Sequence, residues 1–260
     1  MNATLDPPRP YLDHLVGQAR ARGPIPVAVA YPCDGPSLEA AVRAAQAGLI
    51  EPVLVGPVER MRAAAAHSQL SLDPLELLDT TDDPRDAAAQ AAALCRDGAA
   101  RALMKGSLHS DELLAAAVAR DARLRSERRA SHVFVMDMPG VGRPILITDC
   151  VVNIAPTLLE KKDILENAIG LAHALGIARP KVAILSAVET VNEKIRSTLD
   201  AAALCKMADR GQIKGGLLDG PLAFDNAVSL VAAKTKGIRS AVAGQADILV
   251  VPDLESGNMV

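Results

Sequence analysis

The sequence predicts an α/β protein with a largely parallel sheet. Three observations carry that prediction. Short apolar runs alternate with segments of helical periodicity, the pattern of strands joined by helical crossovers. Several runs stop abruptly in acidic, glycine- and proline-containing loops: Leu217-Leu218 before Asp219-Gly220-Pro221, Met136 before Asp137-Met138-Pro139, Thr148 before Asp149, and Val251 before Pro252-Asp253. Such ends are where α/β proteins present ligand groups, and their recurrence implies a shared cleft. The composition is 50% hydrophobic but only 2% aromatic, with no Trp, which suits Ala-rich helices packed closely on a sheet.

In chain order, residues 27–30 form the first expected strand. A helix follows over 37–47, with Ser37 as cap, Glu39 in its first turn and Gly48 as terminator. Residues 52–55, closed by Gly56-Pro57, and residues 75–78 are the next strands. Asp83-Pro84 opens a helix through residue 93, since proline is tolerated in a first turn. The edge 102–104 leads into Lys105-Gly106-Ser107-Leu108-His109-Ser110. There Ser110 caps a helix over 111–120, with Asp111 and Glu112 near its positive end. Residues 133–136 and 145–148 are strands in a hairpin-like connection that holds Pro139, Gly140, Gly142 and Pro144. That Gly/Pro cluster marks the expected boundary between a first domain, 1–140, and a second, 141–260. Ile164, Leu165, Ala168, Leu171, Ala172 and Leu175 fall on one face of a helix over 163–175, ended by Gly176. Residues 182–185 form a strand. Thr198 then caps a helix with Leu199, Ala203, Leu204 and Met207 inward and Gly211 at its close. A helix over 224–236 and a strand over 248–251 complete the set.

Composition also excludes some functions. A net charge of −3 gives no general attraction to nucleic acid or an anionic membrane, and the aromatic residues needed for base stacking are missing. No apolar run approaches a membrane span. The opening MNATLDPPRPYLDHL is polar and Pro-rich and lacks a secretion signal. Cys33, Cys95, Cys150 and Cys205 are widely separated with no CxxC pair, so free thiols are expected rather than disulfides or a zinc site. A cytoplasmic protein that binds neither nucleic acid nor membrane is expected.

Several segments carry a family resemblance: residues 184–229, MKGSLHSDELL from Met104, RRASHVFVMDMP from Arg128, ILITDCVVNIAPTLLEKKDILENAI from Ile145, and AGQADILVVPDLESGNM from Ala243. They resemble the phosphate acetyl/butyryl transferases. The resemblance is strongest from Met104 onward and concerns layout more than motif before it. MKGSLHS is similar to the butyryl-type and bifunctional enoyl-CoA hydratase-associated branch. The resemblance implies two α/β domains with a central cleft, of the isocitrate/isopropylmalate dehydrogenase-like type, and a homodimer or higher homo-oligomer built mainly through the second domain. It implies the reversible reaction of acyl-CoA and orthophosphate to acyl phosphate and CoA, acetyl or butyryl. CoA is then a substrate, and no cofactor or metal is implied. The family pattern continues past PDLESGNM into a stretch carrying a Ser-Arg pair and an Asp, so those catalytic groups are expected beyond Val260. The alternatives are a CoA-binding, dimerising module without turnover, or another acyltransferase of the same fold. A decarboxylating NAD-dependent dehydrogenase is disfavoured, because there is neither a GxGxxG turn nor a clustered Asp set for a divalent metal.

The implied chemistry needs a held phosphate, a stabilised carbonyl oxygen and a proton partner for the CoA thiol. Lys105-Gly106-Ser107 before a helix suits the first need: Gly106 permits close backbone approach, Ser107 adds a hydroxyl and Lys105 a charge. The competing reading is an ordinary strand-to-helix turn. His109 is either an acid/base or phosphate donor, or a partly buried histidine satisfied by backbone. Ser131, with Arg129, either orients ligand or precedes a strand in an exposed basic pair. Asp149 and Asn153 either fix the pantetheine amides and buttress the cleft, or serve as turn and cap residues. Asp219, Pro221 and Asp225 either line the cleft or form a turn in which Asp225 caps the next helix. Asp253, Ser256, Gly257 and Asn258 either start a helix or contact CoA. Lys161, Lys162, Lys234 and Lys236 are available cations for the CoA phosphates, with none singled out. Met136, Met138 and Met207 are expected in the core rather than in an acyl pocket.

Overall fold

A computed structural model describes residues 9–138 and 142–260. The Pro139 and Gly140 of the expected connection, with the boundary placed there, lie outside the described residues, as do the first eight. The chain forms two compact units, Asp13–Glu127 and Arg128–Val260, the latter with residues 9–12. The division falls ahead of residue 140 because β5, Phe134–Asp137, pairs antiparallel with β6, Pro144–Thr148; both strands belong to one sheet.

Helix α1, Pro10–Arg22, spans the first division point. The remaining elements of the first unit are β1 (Ile25–Ala30), α2 (Gly35–Gln46), β2 (Ile50–Gly56), α3 (Val58–His67), β3 (Glu76–Asp79), α4 (Pro84–Arg96), β4 (Ala102–Lys105) and α5 (Ser110–Ala117). Its four strands are parallel in the order β3-β2-β1-β4. Both faces are covered, as an all-parallel sheet requires. Val27 and Val29 pack with Leu38, Ala41, Met61 and Ala65; Ala28 and Ala30 pack with Ala87, Ala88 and Ala91. The alanines let α4 lie close on the sheet, as the composition implied.

Three details differ from expectation. Asp34, not Ser37, caps α2: its carboxylate accepts the Ser37 N–H at 2.9 Å. Ser110 is the first residue of α5 rather than its cap; His109 holds the cap position, and Glu112 accepts the His109 N–H at 2.9 Å. Helices α1 and α3 have no expected counterpart. Helix α3 starts at Pro57 without a capping side chain, and α1 buries no residue, so neither gives the usual start signal or a clear stripe.

The second unit contains β5 and β6, α6 (Leu158–Ala174), β7 (Lys181–Leu185), α7 (Arg196–Asp209), β8 (Leu217–Leu222), α8 (Phe224–Val228), α9 (Leu230–Thr235), β9 (Ile248–Val250) and α10 (Leu254–Met259). Its order is β5-β6-β9-β7-β8, parallel except for β5. Leu146, Val182, Ile184, Ile248 and Val250 pack against Leu165, Ala168 and Ala172 of α6 and Ala201 and Leu204 of α7. Ile145, Ile147, Ala183, Leu185 and Leu249 meet Ala227 and Ala233 on the other face.

Here too the pattern reading needs correction. Helix α6 begins earlier than expected, at a Thr157–Glu160 capping box. In α7 Thr198 is not the cap but a fully buried residue of the first turn. The buried residues are Thr198, Asp200, Ala201 and Leu204, with Met207 partly buried against the same core, while Leu199 is 42% exposed. Strand β8 does not stop at Asp219. It continues through Gly220-Pro221 to Leu222, with a register shift opposite Ala183 to Leu185. The expected helix over 224–236 is broken at Ser229, whose extended backbone ends α8 and whose hydroxyl accepts the Ala232 N–H to start α9. Met136 and Met138 are exposed, not core, because edge strand β5 turns one face outward; Met207 does pack against the core.

Candidate active-site elements at the strand ends

In the first unit the strand order reverses between β1 and β4, and polar loops beyond such a switch point are where this architecture binds ligands. The two loops there are stitched together. Tyr31, just past β1, adopts a left-handed backbone with φ of 51°, which points its carbonyl at the neighbouring loop. That oxygen accepts the Ser107 N–H at 2.9 Å, the Ser107 hydroxyl at 2.8 Å and the Cys33 N–H at 2.9 Å. Gly106 is required: a Cβ there would lie 2.6 Å from the Tyr31 carbonyl carbon. The Ser107 oxygen also accepts the Cys33 N–H at 3.0 Å, and Lys105 Nζ donates to the Leu108 carbonyl at 2.8 Å. Lys105, Ser107 and His109 remain solvent-exposed. The predicted trio is therefore brought together at a sheet end, with the Ser107 hydroxyl committed to the backbone.

Beside this loop pair stands a charged cluster that sequence reading did not single out. The Tyr31 hydroxyl donates to Asp82 at 2.7 Å, and Arg60 donates to both at 2.6 Å. Burial and the Asp82 hydrogen bond raise the Tyr31 phenol to about 12, with Arg60 opposing. Burial pushes the neighbouring Cys33 thiol up to about 11, so it is not a ready thiolate.

In the second unit, Asp149 and Asn153 are both buried and face each other. Asp149 accepts the Val151 and Val152 N–H groups at 2.9 Å and the Asn153 amide at 2.6 Å. Asn153 also donates to the Ala130 carbonyl at 3.0 Å and accepts from Arg129 Nε. Arg129 pairs with Glu160 at 2.7 Å. This chain of contacts fixes the start of α6 to the loop after β6. Ser131 accepts from Asn167 at 2.9 Å, and Asn258 donates to the Cys150 carbonyl at 2.7 Å, tying α10 to the same loop. Asp219, half-buried within β8, accepts its neighbour's N–H from Gly220 at 2.8 Å; Pro221 is buried in the strand. Asp225 is exposed in the first turn of α8, and no side chain caps that helix.

None of these residues lines the hollow that opens at the carboxyl ends of β6, β7 and β9. It measures about 310 Å³ and is bounded by Pro156, Lys161, Arg196, Ser197, Pro252 and Asp253. Lys161 is only 5% exposed and pairs with buried Asp200 at 2.7 Å. Ser197 shares a 2.8 Å hydrogen bond with Ser186, the residue after β7. Asp253 caps α10 by accepting the Ser256 N–H at 2.9 Å, and bonds from Ser256 hold its carboxyl below the usual range. A larger hollow of about 560 Å³ sits at the opposite ends of these strands, but its cations are consumed: Arg143 by Asp247 at 3.0 Å, Lys181 by Gln245 at 2.7 Å.

The signal for Lys161 and Asp200 was present in the sequence. Lys161 stands three and four residues before Ile164 and Leu165, on the apolar stripe of α6, and Asp200 is four before Leu204 on that of α7. A charge on an apolar stripe is the informative exception to burial rules. Among the described residues no group of three or more His, Cys, Asp or Glu is placed to hold a metal ion, and all four cysteines are free.

Two mainly parallel sheets with polar loops beyond their strand ends define an α/β protein of the class that binds small molecules at those loops. The chain belongs to the phosphate acetyl/butaryl transferase family, whose model matches residues 83–260. It is similar to a phosphate acetyltransferase of Rhizobium meliloti, 55% identical over 248 residues, which cover 95% of this chain and 78% of the relative. A phosphate butyryltransferase of Clostridium beijerinckii is 39% identical over 248 residues, 95% of this chain and 82% of the relative. The fold matches a crystal structure of a branched-chain phosphotransacylase from Enterococcus faecalis V583 at a TM-score of 0.78 and 29% identity, covering 90% of this chain and 82% of that one.

Proposed function

We propose that the chain catalyses reversible acyl transfer between CoA and orthophosphate. Family membership carries this reading, joined to the 55% identity with a phosphate acetyltransferase. In the forward direction a phosphate oxygen forms a C–O bond to the thioester carbonyl carbon as the C–S bond breaks. CoA leaves as thiolate and takes up a proton. The protein must hold the phosphate and favour charge on the carbonyl oxygen, tasks that fixed N–H donors and cations perform.

In this reading the strand-end loops share the work. Lys105, Gly106 and Ser107 offer backbone and charge at the first unit's switch point, with His109 beside them. Asp149, Asn153, Ser131 and Asn258 form the scaffold of the second unit's loops, and Asp219, Pro221 and Asp225 are further candidate groups on β8 and at the start of α8. An acetyl donor is favoured over butyryl by the identity of 55% with an acetyltransferase against 39–41% with butyryltransferases. The resemblance supports the isocitrate/isopropylmalate dehydrogenase-like form of the fold and a cytoplasmic homo-oligomer. Among the described residues no helix is long and apolar enough to cross a membrane.

The test is direct. The protein is mixed with acetyl-CoA or butyryl-CoA, and free thiol is followed with and without phosphate. Phosphate-dependent release, faster with acetyl-CoA, is expected. No phosphate-dependent release from either thioester ends the reading.

A further inference from the structure

The buried pair Lys161–Asp200 lies at the hollow beyond β6, β7 and β9. Burying two charges brings little or no gain in stability over apolar residues of the same volume. A pair kept where a cavity opens therefore invites a role in that cavity. An ammonium has three N–H donors. Asp200 is the one hydrogen-bond partner of Lys161 Nζ among the described residues, which leaves two donors for an occupant. Arg196 lines the same hollow; its side chain is 73% exposed and its Nε lies 3.8 Å from the Asp200 carboxylate, beyond hydrogen-bond reach. Two carboxylates share this hollow with the two cations: Asp200 faces Lys161 and Arg196, and Asp253, which accepts the N–H and the hydroxyl of Ser256 at 2.9 and 2.6 Å, also feels the Lys161 charge, so an anionic occupant must be held by direct contacts rather than by a net positive field.

We propose that this hollow is a phosphoryl-binding subsite. Lys161 and Arg196 grip a tetrahedral phosphate, and Asp200 is the positioning residue that holds the Lys161 ammonium toward it. The inference rests on the acyl-transfer reading for the identity of the occupant. That group is either orthophosphate (or the phosphate of an acyl phosphate) or a phosphate of CoA, which share one chemistry.

The experiment uses the full chain, Arg196→Gln, Asp200→Asn, and the double variant Lys161→Met/Asp200→Leu, which leaves no uncompensated buried charge. Each is titrated calorimetrically with inorganic phosphate, CoA and 3′-dephospho-CoA, and assayed for KM and kcat. Loss of a charged hydrogen bond predicts phosphate affinity weaker by about tenfold or more in Arg196→Gln and in the double variant. If CoA affinity holds, the occupant is orthophosphate or acyl phosphate. If the loss falls on CoA and vanishes with 3′-dephospho-CoA, the subsite stands and holds the CoA 3′-phosphate. Asp200→Asn is expected to raise the KM of the same ligand with kcat little changed; a merely structural role would instead reduce active protein, lowering kcat at constant KM. Unchanged binding of both phosphate and CoA overturns the proposal, and Arg196→Gln decides it alone if the double variant does not fold. A wild-type protein that binds phosphate but releases no thiol ends the acyl-transfer reading and leaves the subsite standing.

Discussion

Tyr31 serves the first unit through two different groups. Its carbonyl fastens the β4 loop, and its phenol joins Arg60 and Asp82. The chain has two tyrosines and no Trp, so phenolate absorbance reads Tyr31 and Tyr11 directly. Tyr11 is raised by burial, and Tyr31 stands at about 12. Tyr31 is therefore expected to stay protonated near 10, where free phenols titrate, and Tyr31→Phe should remove the absorbance step near 12. A two-tyrosine step complete at 10 would contradict the described geometry. The folded protein holds the Tyr31 proton more tightly than the unfolded chain. Its contribution to stability is thus complete below pH 10 and is lost as pH rises from there to about 12. Gly106→Ala acts at the same junction. Its Cβ would meet fixed backbone rather than a yielding side chain, so a loss of about 1–3 kcal/mol is expected from the urea midpoint.

At the scale of elements, the helix starts give a sharp comparison. Asp34→Ala removes the acceptor for the Ser37 N–H and is expected to cost about 1 kcal/mol in urea unfolding, whereas Ser37→Ala leaves that bond in place and costs less. Equal costs would restore Ser37 as the cap. Strands β1, β2, β6, β7 and β9 were legible because each contains a short apolar run buried in the core. The faces of α6 and α7 were read less well for one physical reason. Periodicity assigns polar residues outward, while Lys161, Thr198 and Asp200 point inward, Lys161 bonded to Asp200 and the Thr198 hydroxyl to backbone. That same rule hid the hollow, since Lys161 was not singled out from Lys162, Lys234 and Lys236. The Lys105-Gly106-Ser107 loop was legible because its meaning is local: a glycine at a strand end before a capped helix. The Asp219 loop misled because Gly220-Pro221 signals a turn, yet β8 absorbs both residues by a shift of register.

At the scale of the molecule, ligand linkage offers a check that needs no turnover. A ligand that binds the folded state alone, present at 100 times its Kd, stabilises by about 2.7 kcal/mol. Acetyl-CoA is expected to raise the melting temperature, and a flat response across rising concentration would count against a CoA site. The two units also differ in how their sheets are assembled. All four described strands of the first end by Lys105, in one continuous stretch. In the second, β9 follows β8 in sequence yet lies between β6 and β7. A ribosome therefore releases these four strands while the other sheet still lacks its middle member. Until Ile248 to Val250 emerge from the exit tunnel, β6 and β7 carry open rows of amides, the kind of nascent edge that chaperones shield and stray chains invade.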